Sequence, residues 1–268
     1  MRGKYVIFLL PFLFLSACGP SDAEQAQQLI ENARVSVEKG QWHQARFLLD
    51  SVHDTFPAEV EKRRLAKALE DSIVYLEAQK TLSYADSILP PLEQKIDALL
   101  KQFRYEKDEK YEEYGRYVHR LLTTSSNTSR NFLQAYVRDD RKTIVKSYYF
   151  GNTPVNQQTL SLSVNGEEVQ FTGSNHAFEV EGWHEIMSIE DEPALRLLNF
   201  ISAHTQDRVR VKGQGDKPSK SWVYYLNDKE KTALSQTYEL GWLMKDILRA
   251  EDMRNKAQRQ IDRYENGK

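Results

Sequence analysis

Apolar residues recur at helical spacing through the first hundred positions of the chain and change to strand-like alternation beyond them. Over 22–37 they fall at Ala26, Leu29, Ile30, Ala33 and Val37, one face of a helix for which Asp22 is placed as N-cap. Lys39-Gly40-Gln41 interrupts the pattern. A second stripe, Trp42, Ala45, Leu48, Leu49 and Val52, stops before Pro57, which steers the preceding residue out of helix. Helical spacing resumes over 58–81 through Leu65, Ala68, Leu69, Ile73 and Leu76, and Pro90-Pro91 then predicts a boundary or a sharp bend. Past the prolines, Leu92, Ile96, Leu99 and Phe103 keep the 3–4 spacing of a helix packed on a partner. Leu240, Leu243, Ile247, Ala250, Ala257, Ile261 and Tyr264 repeat that spacing near the other end, with Arg254 the one interruption. The C-terminal helix is therefore expected to pack lengthwise on the 92–103 helix. The alternative use of either seam is a homodimer.

Between these helical regions, after a charged stretch at 104–113 and a polar run at 123–130, short alternating segments predict strands. Segments 132–137 and 143–150 flank Arg138-Asp139-Asp140-Arg141, and 160–164 joins 168–171 through Asn165-Gly166, a strong hairpin signal. Further strands are expected at 177–180, 184–189, 208–212 and 221–226, with a helix at 192–203. The fold class that follows is α+β: a helical N-terminal region, a small, mostly antiparallel β module and a long C-terminal helix packing back on the helical region. The expected segments are 22–113 helical, 114–226 β-rich and 227–264 the last helix.

Composition narrows the classes. The 268 residues are 40% apolar and 28% charged, with a mean hydropathy of −0.65, which excludes a multi-span membrane protein and a wholly disordered chain. Lys and Arg total 37 against 39 acidic residues, so no global charge favours nucleic acid. One cysteine excludes an internal disulfide framework and any Cys-based zinc site.

That cysteine lies in a distinctive setting. Arg2 and Lys4 precede the apolar run at 6–15, followed by Ser16 and Ala17, the layout of an export signal over 1–17. Ten apolar residues reach only ~15 Å as a helix, against a bilayer core of about 30 Å. Leu15-Ser16-Ala17-Cys18 resembles the lipobox of bacterial lipoproteins. The resemblance implies cleavage before Cys18, a diacylglycerol on its sulfur and a membrane attachment through acyl chains; without it, Cys18 is a free or buried thiol after an ordinary signal. Residues 18–21 would form a short tether. In that family an Asp directly after the cysteine can retain the protein at the inner membrane; Gly19 stands there, so the expected location is the outer membrane of a Gram-negative envelope. Loss of Arg2 and Lys4 leaves 35 cationic against 39 acidic residues, net −4, so general attraction to anionic headgroups would not hold the mature chain.

Two further resemblances concern the helical region. Ala33, Gly40, Trp42, Ala45, Leu49 and Pro57 resemble one tetratricopeptide repeat over 24–57. The pattern does not recur, since no glycine stands near Val74, and the expectation is one hairpin rather than a groove-forming solenoid. Asp50-Ser51-Val52, Asp71-Ser72-Ile73 and Asp86-Ser87-Ile88 resemble the acceptor triplets of a bacterial protein O-glycosylation system, making Ser51, Ser72 and Ser87 candidate modification sites.

Candidate binding chemistry falls on the last two strands. Arg208, Arg210 and Lys212 alternate with Val209 and Val211, and the next strand offers Trp222 and Tyr224, with Lys217 and Lys220 in the loop between. Cations beside aromatics suit an acidic sugar, a headgroup or a carboxylate; the competing reading is a solvated face above core aromatics. Catalytic patterns are not found: Gly213-Gln214-Gly215-Asp216-Lys217 lacks the context of a phosphate loop, the six histidines have no short ligand spacing, and no Gly-x-Ser-x-Gly elbow occurs. Glu190, Asp191 and Glu192 read as a helix start. The expectation is a non-enzymatic, lipid-anchored binding or scaffold protein without cofactor or metal, whose partners are a membrane, a protein or a second copy, or a glycan; the alternative is a glycan-binding or glycan-processing accessory.

Overall fold

The computed structural model describes residues 20–122 and 129–267. The signal segment, the lipobox with Cys18, and part of the polar run after Leu122 lie outside the described residues. The elements run α1 (Asp22–Glu38), α2 (Trp42–Thr55), α3 (Val60–Leu100), β1 (Phe103–Glu106), β2 (Arg116–His119), β3 (Phe132–Arg138), β4 (Thr143–Gly151), β5 (Thr159–Val164), β6 (Glu167–Thr172), β7 (Ser174–Glu179), β8 (Trp183–Glu190), α4 (Asp191–Ala203), β9 (Arg210–Gln214), β10 (Ser221–Tyr225) and α5 (Asp228–Asn266). The class is α+β, as the alternation of helical and strand periods predicts. Among the described residues, no helix is long and apolar enough to cross a membrane.

The chain divides into two compact units. One holds the described residues up to Leu82 together with those from Lys256 onward; the other is Ser83–Asn255. In the first, α1 and α2 form the expected hairpin, with Gly40 at φ +70° closing α1, a backbone that favours glycine. Ser21, not Asp22, is the N-cap: its side chain accepts from Glu24 N–H at 3.3 Å, and Glu24 Oε2 accepts from Ser21 N–H at 2.8 Å. Ala26, Ile30, Ala33, Ala45, Leu49 and Val52 are fully buried with Ala66 and Ile73 of α3. Leu65 and Ala68, expected on that stripe, stay exposed, because α3 turns Ala66, Leu69 and Ile73 inward instead. At the far end Ala257 and Ile261 of α5 meet Ala78, and Tyr264 stacks on Tyr75 with centroids 4.5 Å apart.

In the second unit α3 corrects the sequence reading at Pro90-Pro91, since the helix continues through both. Each proline removes one backbone donor, at a cost of about 3 kcal/mol in a helix interior. Both lie on the exposed side, where water can solvate the orphaned carbonyls, while Leu89, Leu92 and Ile96 on the opposite side pack against Ile247 and Ala250 of α5. Tertiary packing outweighs local propensity. Both 3–4 seams are thus consumed inside the chain, and Arg254, the interruption, reaches Asp86 at 2.9 Å. A second correction concerns 103–113. Phe103 begins β1 and helix ends at Leu100, so the sheet starts well inside the expected helical region.

Two antiparallel sheets follow, ordered β1-β2-β3-β4-β8-β7 and β10-β9-β5-β6. The expected strand at 208–212 is displaced by two residues, and Asn165-Gly166 makes the predicted hairpin turn, both residues at positive φ. Leu133, Ala135, Val145, Met187 and Ile189 from the six-stranded sheet share one core with Leu160, Leu162, Phe171, Val211 and Trp222 from the four-stranded sheet, with α4 and the start of α5 completing it. The acids at 190–192 open α4, as expected, Glu190 being its N-cap.

His119, at 1% exposure, closes the β2 end of this unit. Leu121 N–H donates to its Nδ1 at 3.1 Å, so the proton resides on Nε2, which donates to Gln236 Oε1 at 2.6 Å. Burial pulls its pKa below 6.5, the Gln236 bond opposing. A neutral, buried imidazole contributes stability in full above pH 6.5 and loses it progressively as pH falls below that value, by up to about 1.4 kcal/mol per unit. Urea unfolding of the wild type against His119→Gln at mildly acidic pH is expected to show the gap between them narrowing as pH drops. A gap independent of pH would contradict this assignment.

Candidate functional site

The cationic and aromatic residues expected to form one site do not come together. In the β9–β10 pairing Trp222 lies opposite Gly213 and Tyr224 opposite Val211, whereas Val223 faces Lys212 and Tyr225 faces Arg210. Because side chains alternate, Trp222 and Tyr224 point with Val211 into the shared core, and Arg210 and Lys212 lie on the opposite face. Trp222 is 6% exposed and sits against Gly213, where an added Cβ would approach the indole to 2.3 Å. Burial, and next the Glu230 carboxylate, pushes the Tyr224 phenol well above its usual pKa. The true aromatic neighbour of the cations is Tyr225, over whose ring the Arg208 guanidinium lies at 3.8 Å. Parity within each strand was readable; which parity of one strand meets which of the other depends on the hairpin register.

The three candidate serines all sit in helices. Ser51 and Ser72 are half-buried and donate to Phe47 O and Ala68 O, with Ser72 also 3.0 Å from the Tyr264 hydroxyl; Ser87 is exposed and donates to Tyr84 O at 2.7 Å. Val52 and Ile73 of the triplets are core residues. Among the described residues no cluster of three or more His, Cys, Asp or Glu is placed to hold a metal.

Sequence reasoning passed over a cleft of about 430 Å³ on the face of the six-stranded sheet turned away from the core. The register aligns Phe132 with Tyr148 and Tyr148 with Ile186 in one row, and Phe150 with His184 and His184 with Phe178 in the next. Phe132 and Tyr148 stack with centroids 4.3 Å apart, and Phe178 and His184 at 5.0 Å; Phe150 leans on His184 at 4.8 Å. The signal was available: Tyr148 and Phe150 share parity in β4, but only the pairing with β3, β7 and β8 makes two rows of them.

Polar groups rim this cleft; Ser129 and Glu181 line it, and His184, Tyr148 and Arg130 are engaged by the protein itself. His184 Nε2 lies 3.0 Å from Val180 O, and the Tyr148 hydroxyl donates to Gln134 Oε1 at 3.1 Å. Arg130 pairs at 3.2 Å with Glu230, which is 2% exposed and forms a capping box with Asn227 at the start of α5. Burial raises the Glu230 pKa, the Asn227 backbone bond and Arg130 opposing it.

Beside His184 on β8, Glu185 is fully buried on the core side. Its Oε1 accepts from Val155 N–H at 2.6 Å and Asn156 N–H at 2.7 Å, and its Oε2 from Gln157 N–H at 2.7 Å and Asn175 Nδ2 at 3.0 Å. Asn156, at φ +59°, turns three successive amides toward one carboxylate, a backbone nest. The 152–158 loop is thereby fastened beneath the cleft-forming strand. Glu185→Gln places amide hydrogens against donors and is expected to cost about 2–3 kcal/mol in urea unfolding. A loss under about 0.5 kcal/mol, the ordinary range for a surface change, would remove the nest from this account.

No family model matches the chain, and neither a curated protein nor a solved structure matches it.

Proposed function

We propose that the chain is a lipid-anchored binding protein of the bacterial cell envelope, held to a membrane by acyl groups on Cys18 and seating a small ligand with a flat or apolar face in the aromatic cleft. The cleft carries the reading. A concavity lined mainly by rings, with few polar groups at the rim, is the usual form of a small-molecule site. Binding is favoured over catalysis because three of the polar side chains there are already committed: His184 to Val180, Tyr148 to Gln134, Arg130 to Glu230. Attachment rests on the Leu15-Ser16-Ala17-Cys18 motif and on a mature charge of −4, which leaves acyl chains as the means of holding.

Metabolic labelling with an alkyne palmitate is expected to tag the wild type and not Cys18→Ser; an untagged wild type ends the anchored reading. For the cleft, saturation-transfer NMR on the lipoprotein in phosphatidylcholine nanodiscs uses para-nitrophenyl glucoside as probe, which offers both an aromatic and a sugar ring. Phe150→Ala and Phe178→Ala are each expected to weaken it about fivefold, the scale of one lost ring contact, with circular dichroism unchanged. No transfer to the probe in the wild type, or equal transfer in the variants, counts against the cleft as the seat.

A further inference from the structure

The outer face of the four-stranded sheet has a chemistry unlike the rest of the molecule. Residues 208–225, the β9–β10 hairpin and its approach, contain five Lys or Arg and one Asp. The remainder of the chain after Cys18 carries 30 cationic and 38 acidic residues, so a +4 segment belongs to a body that is otherwise −8. The charge is also arranged. Arg208, Arg210 and Lys212 follow one another at every second position, Arg210 and Lys212 ~7 Å apart on β9 and Arg208 just ahead of it, and Lys217 and Lys220 occupy the loop at the far end. Among the described residues none of these five makes an ion pair with a carboxylate.

Their surroundings suit a hydroxylated chain. Half-buried Ser163 lies directly across from Arg210 on β5, with Ser161, across from Lys212, buried, and β10 on the other side is a sheet edge with Val223 at 41% and Tyr225 at 43% exposure. Arg208 lies over the Tyr225 ring at 3.8 Å, a contact that does not use its hydrogen-bond donors. Glu168, the acid sharing this face, stands beyond Ser163 on β6, two strands from β9.

We propose that this face is a docking track for a linear acidic polysaccharide, its carboxylates meeting Arg208, Arg210 and Lys212 in turn while sugar hydroxyls meet Ser163. A line of evenly spaced cations fits a chain with one charge per repeat. An anionic membrane is the less suitable occupant, because the half-exposed apolar groups form no wedge beyond the cations and the Tyr225 ring is covered by Arg208. The track stands on the opposite sheet from the aromatic cleft and does not rest on that reading.

The test is retention of the lipoprotein, in phosphatidylcholine nanodiscs, on immobilised polygalacturonate, with neutral dextran as the blank. Wild type is expected to bind, less so as salt rises. Arg210→Ala with Lys212→Ala is expected to weaken binding on the order of tenfold. Arg210→Lys is expected to keep most of it, and Lys101→Ala, an exposed lysine elsewhere, to change nothing. Phe178→Ala is expected to bind polygalacturonate like wild type, which separates failure of the track from failure of the cleft. Three results overturn the proposal: no retention of wild type, equal retention of the double variant, or capture by vesicles of phosphatidylglycerol and phosphatidylcholine in equal parts that polygalacturonate does not compete.

Discussion

In the Ser83–Asn255 unit β3, β4 and β8 of one sheet and β5, β6, β9 and β10 of the other commit one parity of their residues to a core shared with α4, and the surface chemistry follows from that commitment. Leu133, Ala135, Val145, Met187 and Ile189 leave Phe132, Tyr148, Ile186 and His184 to the other face of the six-stranded sheet; Val211, Leu160 and Leu162 leave Arg210, Lys212, Ser161 and Ser163 to the other face of the four-stranded one. A slip of one residue in any pairing would exchange core for surface along a whole strand, so burial of the apolar set fixes register and register fixes what is displayed. The cleft and the cationic row are two consequences of one constraint.

Three buried polar side chains of this unit answer backbone donors that lack partners. Glu185 exists in a dry environment because the Val155-Asn156-Gln157 turn points three amides at one place, and a carboxylate with four donors is far less costly there than the same turn unsatisfied. Gly215 packs close against that turn, where a Cβ would come within 1.9 Å of Val155 O. Glu230 answers the open amides at the start of α5, and His119 answers Leu121 N–H at the end of β2. The donors they satisfy lie at junctions between elements, which is where regular hydrogen bonding runs out.

Periodicity made much of the fold legible. The α1–α2 hairpin, the 3–4 seam of α5, the Asn165-Gly166 turn and the opening of α4 lie where spacing and turn chemistry place them, because each depends on a few consecutive residues. The failures depend on distant ones. Pro90 and Pro91 have a fixed local cost, and only the apolar side formed by Leu89, Leu92 and Ile96 against Ile247 and Ala250 shows what offsets it. Phe103 continues a helical spacing, yet β2 offers it a strand partner in His119, and pairing overrides the pattern. Trp222 and Tyr224 looked available beside cations; the register with Gly213 and Val211, set by the loop between the strands, turned them inward.

The distribution of charge bears on how such a body would behave beside a membrane. If Cys18 is acylated, two or three chains supply attachment, and the protein needs no electrostatic attraction to the surface it is tied to. A net −4 would then favour keeping the body off an anionic leaflet, with repulsion screened beyond a Debye length of about 8 Å at physiological salt. A concentrated +4 segment in that setting is not needed for anchoring and would oppose the repulsion if it faced the membrane. Among the described residues its five cations also lack the carboxylate partners that elsewhere neutralise Arg116, Arg138 and Arg141. Leaving them unpaired costs the folded chain self-repulsion along one strand, a cost that a bound polyanion removes and that solvent alone only screens.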